Sequence, residues 1–261
     1  MSTALAARTF EERRRRSREL SASWPFAAQV LRLYSALLDV QEEAVRRAEN
    51  GSTELASLPA FAASELMPRV VEVTVAAGPE PLAGAVQGLL YGSDLAGVAA
   101  AWLVGGQQTA VERYLARAAL EPVLEASPGL LPRPDRARPQ LCPACGGLPQ
   151  LAYFAFSDDP LLSGQRQLLC SRCSTTWHYA RMTCAGCGET ETSQLPVFED
   201  RERFPHLRID ACESCRTYLL TVELARDAGA VPVVDELAAI PLDLYARERG
   251  LRKITSNLMG F

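Results

Sequence analysis

The sequence predicts a mainly α N-terminal helical bundle domain, then two small metal-held β modules in tandem, and a C-terminal helix. Three observations carry this. Residues 9–126 hold helical periodicity and neither cysteine nor histidine; a proline-rich stretch follows; and all eight cysteines then fall in four Cys-x-x-Cys pairs.

At 261 residues the chain has room for two or three compact units, since domains run to roughly 100–200 residues. Apolar residues at 48% and charged residues at 22% are the balance of a globular protein, so neither a disordered nor a fibrous chain is expected. A formal charge of −4 argues against a protein devoted to nucleic acid, because counterion release needs clustered Lys and Arg. No apolar run approaches the roughly 18 residues of a membrane helix, and the opening residues lack the pattern of a signal peptide, so a cytoplasmic location without membrane insertion is expected. Arg13 to Arg16 invite a twin-arginine reading, but Ser-Arg-Glu-Leu-Ser-Ala-Ser follows instead of an apolar segment. A solvated helix face is expected there.

Thr9 with Glu12, and Thr109 with Glu112, have capping-box spacing and mark helix starts. Ser23-Trp24-Pro25 leads into Phe26, Val30, Tyr34, Leu37 and Leu38, whose three-and-four spacing predicts one buried helix face. Further helices are expected over about 60–77, 81–90, 94–104 and 109–125, broken at Gly78-Pro79 and Gly105-Gly106.

Pro128, Pro132, Pro134 and Pro139, interspersed with Arg133, Arg136 and Arg138, exclude a helix or an inner strand and predict a domain boundary. Beyond it, short alternating runs over 151–156, 167–170, 175–179, 207–210 and 218–222 predict small strands with a thin apolar core. Residues 235–249 read as helix closed by Gly250, with Pro241 kinking or dividing it. The expected units are 1–138 (helical), 139–181 and 182–224 (metal modules), and 225–261 (C-terminal helix and tail).

Cys142/Cys145, Cys170/Cys173, Cys184/Cys187 and Cys212/Cys215 are separated by 24, 10 and 24 residues, so the second four repeat the first at a shift of 42. At that shift Gly146 meets Gly188, Phe156 meets Phe198, Asp158 meets Asp200 and Arg166 meets Arg208, the mark of a duplicated module. Two Cys-x-x-Cys turns complete a sulfur tetrahedron, and a following glycine lets backbone amides approach the thiolates. A unit of about 42 residues buries little apolar surface, whereas a structural zinc site supplies on the order of 10–16 kcal/mol linked to folding. The repeat assigns Cys142, Cys145, Cys170 and Cys173 to one metal site and Cys184, Cys187, Cys212 and Cys215 to the other; interleaved pairing is the alternative.

Structural disulfides need an oxidising compartment, and thioredoxin-like redox pairs usually occur once. The zinc domains of some chaperones carry further glycines that are missing after Gly146-Gly147-Leu148 and Gly188-Glu189-Thr190. Four thiolates around iron or zinc remain, and sulfur ligation alone does not separate the two. His178 and His206, the only histidines, are expected outside the ligand sets, and Trp177 and Tyr179, with counterparts Leu219 and Thr221, are expected to pack around the knuckles. Gln41 and Trp24 read better as core packing than as partner contacts. No Ser-His-Asp set, phosphate-cradling glycine loop or readable carboxylate pair occurs, so no catalytic residue is assigned and the chain is not read as an ordinary enzyme.

These residues resemble the FdhE family of formate dehydrogenase accessory proteins. The likeness runs through Trp24-Pro25, Leu33-Tyr34 and Gln41, through Cys-Pro-Ala-Cys-Gly-Gly, Thr176-Trp177 and Tyr218-Leu219. It continues in Asp235-Glu236-Leu237, Leu242-Asp243-Leu244, Gly250-Leu251-Arg252 and Asn257-Leu258. It implies a helical domain followed by two rubredoxin-like/zinc-ribbon modules, in a cytoplasmic maturation protein or chaperone that contacts the formate dehydrogenase catalytic subunit. Two metal ions are implied, iron ahead of zinc. Ser174 and Arg216 stand where the rubredoxin pattern has glycine. The alternatives are a zinc-ribbon nucleic-acid binder and a redox-active rubredoxin-like enzyme or electron carrier.

Overall fold

The computed structural model describes residues 9–50, 54–135, 138–155 and 164–261. Phe156 and Asp158 of the repeat, and Arg136 of the proline-rich stretch, lie outside them.

Helix α1 (Phe10–Ser23) opens on the expected capping box: the Thr9 hydroxyl accepts from the Glu12 amide at 3.2 Å, and the Glu12 carboxylate accepts from the Thr9 amide at 2.9 Å. A 3-10 turn at Pro25–Ala27 reverses the chain into α2 (Ala28–Asn50), which buries Leu31, Leu33, Tyr34, Leu37 and Leu38. The expected buried face began one turn too early. Phe26 belongs to the turn, remains 50% exposed and stacks on Trp24.

Next come α3 (Leu58–Phe61), a π-helical turn (Ala62–Leu66) and α4 (Met67–Ala77). They replace the single helix expected over 60–77, and the wide turn precedes Pro68, which has no amide to donate into the ladder. Helices α5 (Glu80–Gly92), α6 (Leu95–Val104) and α7 (Ala110–Ala126) follow the sequence breaks. Asp94 caps α6, and Thr109 with Glu112 forms the second capping box.

Beyond the proline-rich stretch, β1 (Pro149–Phe154), β2 (Arg166–Cys170) and β3 (Thr176–His178) form one antiparallel meander. Its counterpart is β4 (Val197–Glu199), β5 (Leu207–Cys212) and β6 (Thr217–Glu223). Strand β4 is too short and too exposed for the sequence pattern to reveal. The two meanders do not stand apart. Parallel pairing of β1 with β6, Leu151 opposite Leu220 and Tyr153 opposite Val222, fuses them into one sheet of order β3-β2-β1-β6-β5-β4. Strand β7 (Arg252–Lys253) pairs in parallel with β6.

The expectation of a thin core is corrected by this fusion. Tyr153, Ile209, Tyr218, Leu220 and Val222 project from one sheet face against α8 (Pro232–Ala238) and α9 (Ile240–Glu248), where Ala239, Leu242 and Ala246 are buried. Ala152, Leu168 and Leu219 alternate to the other face and pack with Tyr179 and Ala185. The C-terminal helix divides at Ala239, with Pro241 in the first turn of α9.

Buried charges join the helices to the sheet region, and they overturn the solvated reading of the arginine run. Arg13 pairs with Glu125, and Arg16 reaches Asp235 at 2.5 Å and Asp227 at 2.6 Å. Arg14 pairs with Asp39 and Glu42. Asp235 is fully buried and also holds His206 Nε2 at 2.7 Å and the Val231 amide at 2.7 Å. Desolvation of such a carboxylate is offset only while its partners remain. Asp235→Ala is therefore expected to lower stability by about 3 kcal/mol, because it leaves the Val231 amide and His206 without their acceptor and Arg16 with Asp227 as its remaining close carboxylate. Urea denaturation followed by circular dichroism measures it, and a loss within about 0.5 kcal/mol would rule out this network as a support of the fold.

Candidate metal centres

Each group of four cysteines is drawn from one meander and the turn that precedes it. The thiol sulfurs of Cys142, Cys145, Cys170 and Cys173 lie within 4.8 Å of one another, and so do those of Cys184, Cys187, Cys212 and Cys215. In the first group Cys142–Cys173, Cys145–Cys170 and Cys145–Cys173 are separated by 3.7, 3.5 and 3.4 Å. In the second, Cys184–Cys215 and Cys187–Cys212 are separated by 3.7 and 3.8 Å. A tetrahedral ion with metal–sulfur bonds of about 2.3 Å requires sulfur–sulfur edges of about 3.8 Å. A disulfide requires about 2.05 Å. The donor sets thus fit a four-coordinate thiophilic ion, and all eight thiols are free of disulfides.

The local backbone makes these tetrahedra in the same way twice. The Cys142 amide donates to Gly147 O at 2.9 Å, and its counterpart Cys184 donates to Glu189 O at 2.8 Å. Gly146 and Gly188 adopt φ of 70° and 83° and donate to the carbonyls of Cys142 and Cys184. Their left-handed conformation closes each knuckle. The amides that reach sulfur are different ones: Arg172 donates to Cys170 Sγ at 3.4 Å, and Gly186 and Cys187 donate to Cys184 Sγ at 3.3 and 3.5 Å. At Gly147 a side chain is excluded, because a Cβ there would lie 2.9 Å from Cys170 Sγ.

Ser174 and Arg216, at the rubredoxin glycine positions, also take the left-handed conformation, with φ of 52° and 56°. For a residue with a Cβ this costs on the order of 1–2 kcal/mol. Both donor sets also carry a hydroxyl contact that the sequence reading missed: Cys173 Sγ lies 3.2 Å from Thr175 Oγ1, and Cys215 Sγ lies 3.0 Å from Thr217 Oγ1. Thr175 and Thr217 are 42 positions apart, so the repeat itself was the available signal. Hydrogen bonds among the four thiols lower the pKa of Cys173 and raise those of Cys145 and Cys170, so negative charge is shared unevenly over the sulfurs.

The two centres differ in surroundings. The first is packed among the core residues of the helical region and α8, including Leu124, Val234 and Leu237. In the second, Cys187 is exposed and Cys215 half-buried. Tyr179 links the two halves, donating from its hydroxyl to Cys184 O at 2.9 Å, and Trp177 donates to Pro139 O at 3.0 Å. His178 is exposed at the end of β3, outside both sulfur groups. His206, Asp227 and Asp235 form a third cluster of ligand-type atoms, but Arg16 already supplies its cation. Gln41 is buried and donates to Ala118 O at 3.2 Å, while Trp24 packs edge-on against Phe204, so both act in packing.

Residues 141–181 match the FdhE central domain and residues 182–259 match the FdhE C-terminal domain. Residues 141–259 are thus similar to the FdhE family. An FdhE homologue of Aquifex aeolicus is 36% identical over 120 residues, 46% of this chain and 41% of that protein. One from Pseudomonas putida is 34% identical over 121 residues, 45% of this chain and 37% of that protein. The matched region thus spans about two fifths of the length of these FdhE relatives. The crystal structure of the FdhE protein from Pseudomonas aeruginosa aligns with 96% of this chain and 95% of its own, at a TM-score of 0.66 and 24% identity, so the FdhE fold extends through the helical region as well. No helix among the described residues is long and apolar enough to cross a membrane.

The unequal burial has a measurable consequence. On titration with a chelator, the second centre is expected to lose its ion first, and Cys187→Ser is expected to remove one of two metal equivalents while the helical signal persists. Cys142→Ser, at a fully buried ligand, is expected to destabilise the whole chain. Metal analysis and circular dichroism on the same samples separate these outcomes; simultaneous release from both centres would contradict the assignment of unequal access.

Proposed function

We propose that this chain is a cytoplasmic accessory protein for formate dehydrogenase, binding the catalytic subunit of that enzyme while it is assembled. The observation that carries this reading is the paired FdhE central and C-terminal match over residues 141–259, with both sulfur tetrahedra inside it. Two ions, iron ahead of zinc, would be held by Cys142, Cys145, Cys170 and Cys173, and by Cys184, Cys187, Cys212 and Cys215. Bound there they would supply four-coordinate thiolate crosslinks, with one-electron chemistry added if the ion is iron.

The chain's own residues support a binding role over a catalytic one. Each donor set uses all four positions of a tetrahedron for protein sulfur, leaving no open site for substrate. The exposed Cys187 and the exposed side chains Met182 and Val197 place apolar surface near the second centre, where a polypeptide partner could meet it.

In a strain lacking the gene, formate dehydrogenase activity is expected to disappear while its catalytic polypeptide is still made. Undiminished activity would defeat the proposal. Protein purified anaerobically from iron-replete cells is expected to contain two iron equivalents and a visible thiolate-to-iron band that bleaches on reduction. A colourless protein containing only zinc would restrict the centres to a structural role.

A further inference from the structure

A cleft of about 460 Å³ opens where three parts of the chain meet: the corner between α6 and α7, the first metal knuckle, and the segment after β7. Four cations line it, Arg113, Arg117, Arg172 and Lys253, and none of its lining residues is acidic. In a chain of net charge −4, this concentration of basic groups without acidic ones runs against the overall composition.

The four cations are not equivalent. Arg117 is paired with Glu121 at 2.7 Å, and Lys253 with Glu236 at 2.7 Å and Asp243 at 3.1 Å, so these two form a fixed back wall. Arg113 and Arg172 have no carboxylate partner among the described residues. Arg113 donates to Gln108 O at 3.3 Å and Arg172 to Cys145 O at 3.4 Å, which leaves further guanidinium donors of each uncommitted.

Two details mark the cleft as built. Gly105, at φ 74°, lies so close to Arg172 that a Cβ there would fall 2.6 Å from its Nη2. A side chain at this corner would push the guanidinium aside. Also lining the cleft, Thr255 has a buried hydroxyl with no hydrogen-bond partner among the described residues. Ser171 and Ser256 add hydroxyls to the same walls.

We propose that this cleft binds a small phosphate-bearing molecule, with Arg113 and Arg172 as its charged contacts. Guanidinium forks and hydroxyls lining one cleft suit a tetrahedral, multiply charged oxyanion. The volume exceeds what one phosphate needs and lies in the range of ligand sites, so a diphosphate or larger ester fits it. Arg172 stands between Cys170 and Cys173 and its amide reaches Cys170 Sγ, so an occupant of the cleft bears directly on the first sulfur tetrahedron. The site goes beyond the accessory role and does not depend on it.

Inorganic pyrophosphate titrated into the full-length metal-loaded chain at constant ionic strength, followed by calorimetry, is the test. Saturable binding at one site per chain is expected. Arg113→Gln and Arg172→Gln are each expected to weaken it by roughly tenfold or more, while Arg201→Gln, on an exposed turn beside β4, leaves it unchanged. Arg113 is exposed on α7 and its side chain hydrogen-bonds Gln108 O, not a cysteine, so its variant tests the cleft even if Arg172→Gln releases metal. No saturable heat, or equal loss in all three variants, would overturn the proposal. So would tighter binding of an oligoglutamate peptide that depends on Arg113 and Arg172, which would assign the cleft to an acidic polypeptide.

Discussion

The parallel contact between β1 and β6 is the one on which the rest of the C-terminal architecture depends. Each meander alone is three short strands, with too little apolar area to exclude water. Joined, they present a sheet face wide enough to seat α8 and α9, and Tyr153, Tyr218, Leu220 and Val222 become interior residues. The same contact fixes where the sulfur groups lie. In each module one Cys-x-x-Cys pair precedes the meander and the other sits at the turn between its second and third strands, so fusing the meanders through β1 and β6 sets one centre against the helical region and leaves the other toward solvent.

A second layer of the design is electrostatic. Asp235, Glu236 and Asp243 are fully buried on consecutive parts of α8 and α9, and each has a cation from elsewhere in the chain. Arg16 of α1 serves Asp235, and Lys253 of β7 serves both Glu236 and Asp243. Burial raises the pKa of Glu236, and Lys253 opposes that shift. Gln150 of β1 bridges Arg117 of α7 to Glu236, so one polar chain crosses from the helical region through the sheet to α8. Such groups favour a single arrangement of these parts, because any other leaves a charge without its partner.

Much of this was legible in the sequence where one local rule decides the outcome. Capping boxes located α1 and α7, the glycine breaks divided α4 from α5 and α6 from α7, and the 42-residue repeat sorted the cysteines into the groups that come together in space. What escaped depends on long-range contacts. No periodicity announces that β1 will lie beside β6, 69 positions away in register, and the fused sheet made the core thicker than the separate strands implied. Nor does an arginine run reveal that Arg13 and Arg16 turn inward, since their partners Glu125 and Asp235 are more than 100 residues distant. The threonine contacts to Cys173 and Cys215 were within reach, because the repeat that aligned the cysteines aligned them too.

Ser174 and Arg216 occupy the backbone conformation that glycine accepts most easily, and each uses its side chain for something a glycine could not do. The Ser174 hydroxyl reaches Glu121 of α7 at 3.5 Å, and the Arg216 guanidinium reaches the Arg249 carbonyl beyond α9 at 2.5 Å. The duplicated knuckles have therefore specialised into fasteners with different anchorages. Transplanting either module into the other's place would preserve the sulfur cage and forfeit its attachment to the neighbouring helix, so the two copies have ceased to be interchangeable parts.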